Sequence, residues 1–124
     1  MTDLAKVLVV EDDTATAEFL LDNLRADGFR AAAASGVGEG LRAIEVRQPD
    51  LLLLDLMLDD GNGLELLDTL RAADGLASRL DPDLPVIVLS GRTGETDRVR
   101  GFARGCDDYV AKPFSYPELQ GAIS

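Results

Sequence analysis

Among the 124 residues of the chain there is no histidine. That absence removes catalytic triads that need an imidazole, histidine zinc sites and any internal phosphohistidine. There is one cysteine, Cys106, so no intramolecular disulfide can form, and a reducing, cytoplasmic setting is expected. Cations are scarce. Twelve Lys and Arg against 23 Asp and Glu leave a net charge of −11, which argues against this segment gripping nucleic acid through its own surface. No apolar run is long enough to span a bilayer. The opening MTDLAKVLVVED has too short an apolar run, and turns acidic too soon, for a signal peptide. Chemistry in this chain therefore falls to carboxylates, hydroxyls, a lysine or a bound metal.

What is present fits one folded domain: 46% hydrophobic and 28% charged residues, in a length that can bury a real core. Five short apolar runs alternate with helix-like segments. Strands are expected at Leu4–Val10, Phe29–Ala34, Leu51–Asp55, Val86–Ser90 and Asp107–Ala111. Helices are expected at Asp13–Asp27, Gly36–Arg47, Leu64–Ala73 and Glu95–Arg104, with a last one from Ser115. Phe19, Leu20 and Leu24 form one helical stripe, Val37, Leu41 and Ile44 a second, and Leu64, Leu67 and Leu70 a third. Asp59–Gly63 reads as a loop, and Asp74–Pro85 as an extended helix end followed by a loop. Such alternation implies an α/β fold, a parallel sheet with helices on both faces. Ligands of such sheets bind outside the carboxyl ends of the strands.

At those ends sit Glu11, Asp12 and Asp13 after the first strand, Asp55 closing the third, Ser90 closing the fourth and Lys112 after the fifth. The second strand ends at Ser35, a turn or cap residue. With the first and third strands adjacent, Glu11, Asp12 and Asp55 converge. Two carboxylates ~4 Å apart repel by about 4 kcal/mol at an effective dielectric near 20. The cluster needs a counter-charge: Mg²⁺ suits oxygen ligands, and Lys112 offers a movable point charge. Asp55 is then placed as a nucleophile that takes a phosphoryl group, with the Ser90 hydroxyl able to donate to the anion. Taken singly, each residue has a plainer reading: a strand-end Asp as a turn or cap, an acidic triplet as a solvated helix start, Lys-Pro as a loop. Joint placement favours function.

The segments VLVVEDD, DLLLLDLML, GNGLELL, PVIVLSG and DDYVAKPFSYPEL together resemble the receiver domain of two-component response regulators, over nearly the whole chain. The resemblance implies a flavodoxin-like (βα)5 fold with strand order 2-1-3-4-5, and a single receiver domain over residues 1–124. It assigns Asp55 as phosphoacceptor, Glu11 and Asp12 as the acidic pair, and the carbonyl of Met57 as a further Mg²⁺ ligand. Ser90 matches the switch hydroxyl, Lys112 the charge-balancing lysine and Tyr109 the switch aromatic. Lys112-Pro113 is expected to be cis, and Asp13 to cap the first helix rather than touch metal. The wording near the end is most similar to the OmpR type, which implies a sensor histidine kinase as partner. It also implies a homodimer promoted by phosphorylation through Arg98, Asp107, Asp108 and Glu118, and DNA binding only through a winged-helix output domain outside this chain. The expected role is a switch, not an enzyme, with no membrane partner. Because the chain ends at Ser124, the last helix is expected to be cut short.

Departures from the family pattern also stand out. Asp59 occupies the place of a usual proline, so the acidic loop Asp59-Asp60 is expected to be freer. Residues 74–85 form a longer connection than usual. Gly91 leaves the phosphoryl site open, Met57 and Arg92 sit where relatives tune phosphoryl lifetime, and Ala122 stands where a dimer-face arginine is expected. Two other readings stay open. A haloacid-dehalogenase-type hydrolase also uses an Asp nucleophile and Mg²⁺, but expects a second Asp where Met57 stands. A receiver that only binds proteins would be expected to lack the acceptor, the acidic pair or the lysine.

Overall fold

The central apolar runs become parallel strands because they are covered on both faces. The computed structural model describes residues 4–91 and 95–123, with side-chain burial for 4–91 and 98–123; Arg92 lies outside the described residues. In chain order the elements are β1 (Lys6–Val10), α1 (Thr14–Ala26), β2 (Arg30–Ala34), α2 (Val37–Arg47), β3 (Leu51–Asp55), α3 (Gly63–Arg71), β4 (Val86–Ser90), α4 (Glu95–Ala103), β5 (Asp108–Ala111) and α5 (Tyr116–Ile123). The strands form one five-stranded sheet in the order β2-β1-β3-β4-β5, every pair parallel. This is the expected 2-1-3-4-5 arrangement.

Alternation along each strand divides the core. Val7, Val9, Leu53, Ile87 and Leu89 point to one side, where Leu20 and Leu24 of α1 and Tyr116 and Leu119 of α5 cover them. Leu8, Val10, Leu52, Leu54, Val86 and Val88 point to the other, against Ile44 of α2 and Leu66, Leu67 and Leu70 of α3. Phe19 departs from its expected stripe: it is 46% exposed and meets Tyr116 edge-on, with ring centroids 6.5 Å apart.

Two connections differ from expectation. Residues 59–63 are not a plain loop. Met57–Leu58 and Gly61–Asn62 pair as a small antiparallel ribbon, and Asn62 caps α3 by accepting from the Leu64 amide at 2.9 Å. The segment 74–85 does not extend α3, which ends at Arg71. The Asp74 carboxylate accepts from the Leu76 and Ala77 amides, and Gly75 takes a positive φ of 77°. Local side-chain bonding of this kind competes with helix continuation. Leu80 and Leu84 then pin the segment into the core, while Leu76 is 92% exposed. None of the described helices is long and apolar enough to cross a membrane.

Candidate functional site

The strand registers bring the predicted residues together. Val10 lies opposite Leu54, so the next residues along, Glu11 and Asp55, share the carboxyl edge of the sheet. Asp55 pairs with Leu89, which sets Ser90 one step beyond it on the neighbouring strand. Ser90 in turn pairs with Ala111, and its carbonyl accepts from the Lys112 amide at 2.8 Å. Glu11, Asp55 and Ser90 are the buried polar residues of the described chain, at 3%, 4% and 0% exposure.

Each carboxylate is held by directed bonds. Asp55 Oδ1 accepts from the Met57 amide at 3.1 Å, and Asp55 Oδ2 accepts from Lys112 Nζ at 3.0 Å. The same ammonium donates to Glu11 Oε2 at 3.0 Å, while Glu11 Oε1 accepts from the Asp13 amide. Lys112 thus bridges two buried carboxylates. Lys112-Pro113 is cis, as expected. Asp13 is the cap of α1, accepting from the Thr16 amide at 3.0 Å, and its carboxyl sits below the usual range because of its bonds to Thr16.

The remaining acids carry the strain of crowding. Burial pushes Glu11 up to about 7, with the bond from Lys112 opposing and the Asp55 carboxylate adding to the rise. Asp12 is also raised, by burial and then by the carboxyl of Asp59 beside it. Burial works against the charge of Lys112, yet its bonds to Glu11 and Asp55 prevail and hold the ammonium above its ordinary value.

Oxygens of Glu11, Asp12 and Asp55 lie within 4.8 Å of one another. An all-oxygen set with no soft donor, in which Glu11 and Asp12 have raised proton affinity, fits a hard divalent cation. Tyr109 is buried, with Arg98 stacked 5.8 Å from its ring centroid. Arg98, Asp108, Tyr109 and Glu118 line one shallow cleft between α4, β5 and α5, with Ala122 at its edge. Asp107 is engaged elsewhere: its Oδ2 accepts from the Val86 amide at 2.8 Å and from Arg71 at 3.1 Å. A Cβ on Gly91 would meet nothing within 4 Å.

The receiver-domain family of response regulators matches residues 7–124. The chain belongs to that family. This receiver is 40% identical over 120 residues to the KDP operon transcriptional regulatory protein KdpE of Escherichia coli K12, covering 97% of this chain and 50% of that protein. It is 42% identical over 120 residues to the phosphate regulon transcriptional regulatory protein PhoB of Rhizobium meliloti, covering 97% and 51%. The receiver spans about half the length of the curated relatives it matches. Among solved structures it resembles a CheY-like receiver from Methanospirillum hungatei, with TM-score 0.86, 30% identity and coverage of 98% and 91%. A response regulator from Chloroflexus aurantiacus gives TM-score 0.88, 30% identity and coverage of 98% and 95%. Receivers of this family generally act as signalling switches.

Three features escaped the sequence reading: Asp59 meeting Asp12, Asp60 reaching the start of α2, and Gly63 lying against the backbone of Asp55. A Cβ on Gly63 would stand 2.3 Å from the Asp55 carbonyl oxygen. One signal was available for the second. Gly36 heads α2 with no side chain to cap it, so a cap had to come from elsewhere.

Proposed function

We propose that the receiver is a phosphorylation switch in which a carboxylate oxygen of Asp55 attacks the phosphorus of a phosphohistidine on a sensor kinase. The new oxygen–phosphorus bond forms as the nitrogen–phosphorus bond breaks, and the kinase imidazole leaves with the electron pair. The observation that carries this reading is the setting of Asp55. It is nearly buried, aimed by the Met57 amide and faced by the Lys112 ammonium, beside two further carboxylates. Glu11, Asp12, Asp55 and the Met57 carbonyl would hold Mg²⁺, which neutralises charge on the transferred group. Lys112 balances the phosphoryl oxygens, and Ser90 donates its hydroxyl to one of them.

Hydrogen bonds to charged groups contribute roughly 1.5–3 kcal/mol, enough for phosphorylation to bias two arrangements of the Ser90 and Tyr109 region. The dimer reading follows from that bias. Arg98, Asp108 and Glu118 lie around the buried Tyr109 ring, so a shift there reaches the α4–β5–α5 face. Exposed ion pairs contribute only ~0–1 kcal/mol each, and Ala122 supplies no charge. The homodimer is accordingly weak and salt-sensitive, formed with beryllofluoride and Mg²⁺ and mostly monomeric without them. Similarity to transcriptional regulators supports an OmpR-type output domain as the DNA-binding partner and a cytoplasmic location.

Intact mass after incubation with acetyl phosphate and Mg²⁺ tests the reading. One phosphate adduct is expected, absent in Asp55→Asn and retained in Ser90→Ala. Asp12→Ala should weaken Mg²⁺ binding more than Asp13→Ala, because Asp13 is occupied by the helix cap. An adduct that survives in Asp55→Asn overturns the assignment.

A further inference from the structure

The acidic loop after β3 faces an electrostatic problem. Asp59 stands beside Asp12, and Asp12, Glu39, Asp59 and Asp60 all line one small cleft with Ser35 and Gly36. Like charges at this spacing push the loop away from the pocket. The loop is nevertheless fastened, and by its own acid. Asp60 Oδ1 accepts from the Val37 amide at 2.9 Å, and Oδ2 from the Gly38 amide at 3.4 Å. These amides belong to the first turn of α2, where unpaired donors and the helix dipole attract an anion. Gly36 shapes the seat. A Cβ there would lie 2.7 Å from both Asp60 oxygens, and the extended backbone at Gly36 leaves the carboxylate lying against a bare Cα.

We infer that Asp60 is a positioning residue for the metal pocket: by capping α2 from across the cleft, it holds the loop carrying Met57 and Asp59 in register with Asp12. The loop transmits that hold. Met57 pairs with Asn62 and Leu58 with Gly61, and the Gly63 amide closes onto the Leu56 carbonyl at 2.8 Å. Residues 56–63 therefore move as one tight turn, and a displacement at Asp60 reaches the Met57 carbonyl. Where a proline would stiffen the position of Asp59, this chain uses a tether one residue later. The inference rests on the proposed Mg²⁺ role of Glu11, Asp12, Asp55 and Met57.

Three variants separate positioning from simple helix capping. Residues that orient metal ligands typically change affinity by about 10–100-fold when removed, so Asp60→Ala should weaken Mg²⁺ binding in calorimetry by about tenfold. Asp60→Asn keeps a good capping oxygen and should stay within about threefold of the unaltered protein. Asp60→Ala combined with Gly36→Ser gives α2 a cap of its own in the vacated space. It should recover most of a Tm loss of about 4 °C while Mg²⁺ binding stays weak. Recovery of affinity together with Tm, or Asp60→Ala affinity within about twofold of the unaltered protein, overturns the inference. If the unaltered protein binds no Mg²⁺, or binds it regardless of Asp12→Ala, the proposed pocket fails instead. Amide hydrogen exchange in metal-free protein then still judges the tether: faster exchange at Met57 and Gly63 in Asp60→Ala supports it, and unchanged exchange refutes it.

Discussion

Replacing Lys112 by methionine keeps the side-chain stem and removes one charge from between two buried carboxylates. Its ammonium lies 3.0 Å from Glu11 and 3.0 Å from Asp55. Their side chains are only 1% and 6% exposed, and that of Lys112 is 27% exposed. At an effective dielectric near 20, each attraction is about 5 kcal/mol before desolvation is subtracted. Removing one member of a buried pair costs about 3–5 kcal/mol net, because the partner is left uncompensated. Here the cost depends on pH. Near pH 8 Glu11 has given up its proton and both contacts are lost with the ammonium, so the full loss of about 3–5 kcal/mol is expected. Near pH 5.5 Glu11, whose proton leaves at about 7, is already neutral. Only the Asp55 contact is then forfeited, and the loss falls to about half. Urea unfolding of metal-free protein, followed by circular dichroism at both pH values, measures this directly. Equal losses at the two pH values, or a loss below about 0.5 kcal/mol at pH 8, would refute the bridging role.

With Glu11 as a Mg²⁺ ligand in the proposed function, stability and metal affinity run in opposite directions with pH. The folded-state proton affinity of Glu11 is raised, so its contribution to metal-free stability is complete below about 4.5 and is lost as pH rises through about 7. Mg²⁺ must displace that proton, so its affinity should climb from pH 5.5 to 7 by at most about tenfold per unit and then level off; a flat calorimetric profile contradicts this. Gly63→Ala places a Cβ 2.3 Å from the Asp55 carbonyl oxygen and 2.9 Å from the Leu56 Cα. Both are backbone atoms that cannot swing aside, so a loss of about 1–3 kcal/mol or more is expected in chemical denaturation, and an unchanged midpoint would contradict the close approach. Gly101→Ala meets softer neighbours, the Tyr109 ring at 3.2 Å and Cys106 Sγ at 3.3 Å. The ring should shift towards solvent, visible as a change in its NMR resonances, with a stability loss of about 1 kcal/mol; an unmoved ring contradicts the packing.

The strands and the pocket were legible because both are written in side-chain chemistry. LLLLD and VIVLS pair continuous apolar runs with a polar last residue, and the parallel register then aligns those last residues at one edge. What escaped is written in backbone atoms, which have no letter in a sequence. Asp60 was expected to loosen its loop, yet it is held by two amides of α2. The stretch after α3 looked like more helix because Leu76 and Leu80 sit at helical spacing. The Asp74 side chain redirects the chain first, leaving Leu76 in solvent and Leu80 buried. Asp107, expected by resemblance on the dimer face, is exposed and also closes the entry to β4 through the Val86 amide, a bond to a backbone atom that no sequence pattern announces.

The guanidinium that shares Asp107 has a wider effect. Arg71 donates to the carbonyls of Pro82 and Leu84 through one terminal nitrogen, and to the Gly105 carbonyl through Nε and the other. One side chain at the end of α3 thus ties down the long connection before β4 and the turn before β5. A planar fork can reach three directions at once, which a lysine ammonium on a flexible stem does not reproduce. This knot lies at the amino-terminal edge of the sheet, opposite the carboxylate pocket. The domain therefore has a bolted end and a working end. The connection between 74 and 85 is fastened at the bolted end by Arg71, Leu80 and Leu84, at the far end of the sheet from the pocket. The pocket lies at the other end, where the Asp60 carboxylate and the Lys112 ammonium join the loops to the frame through charge.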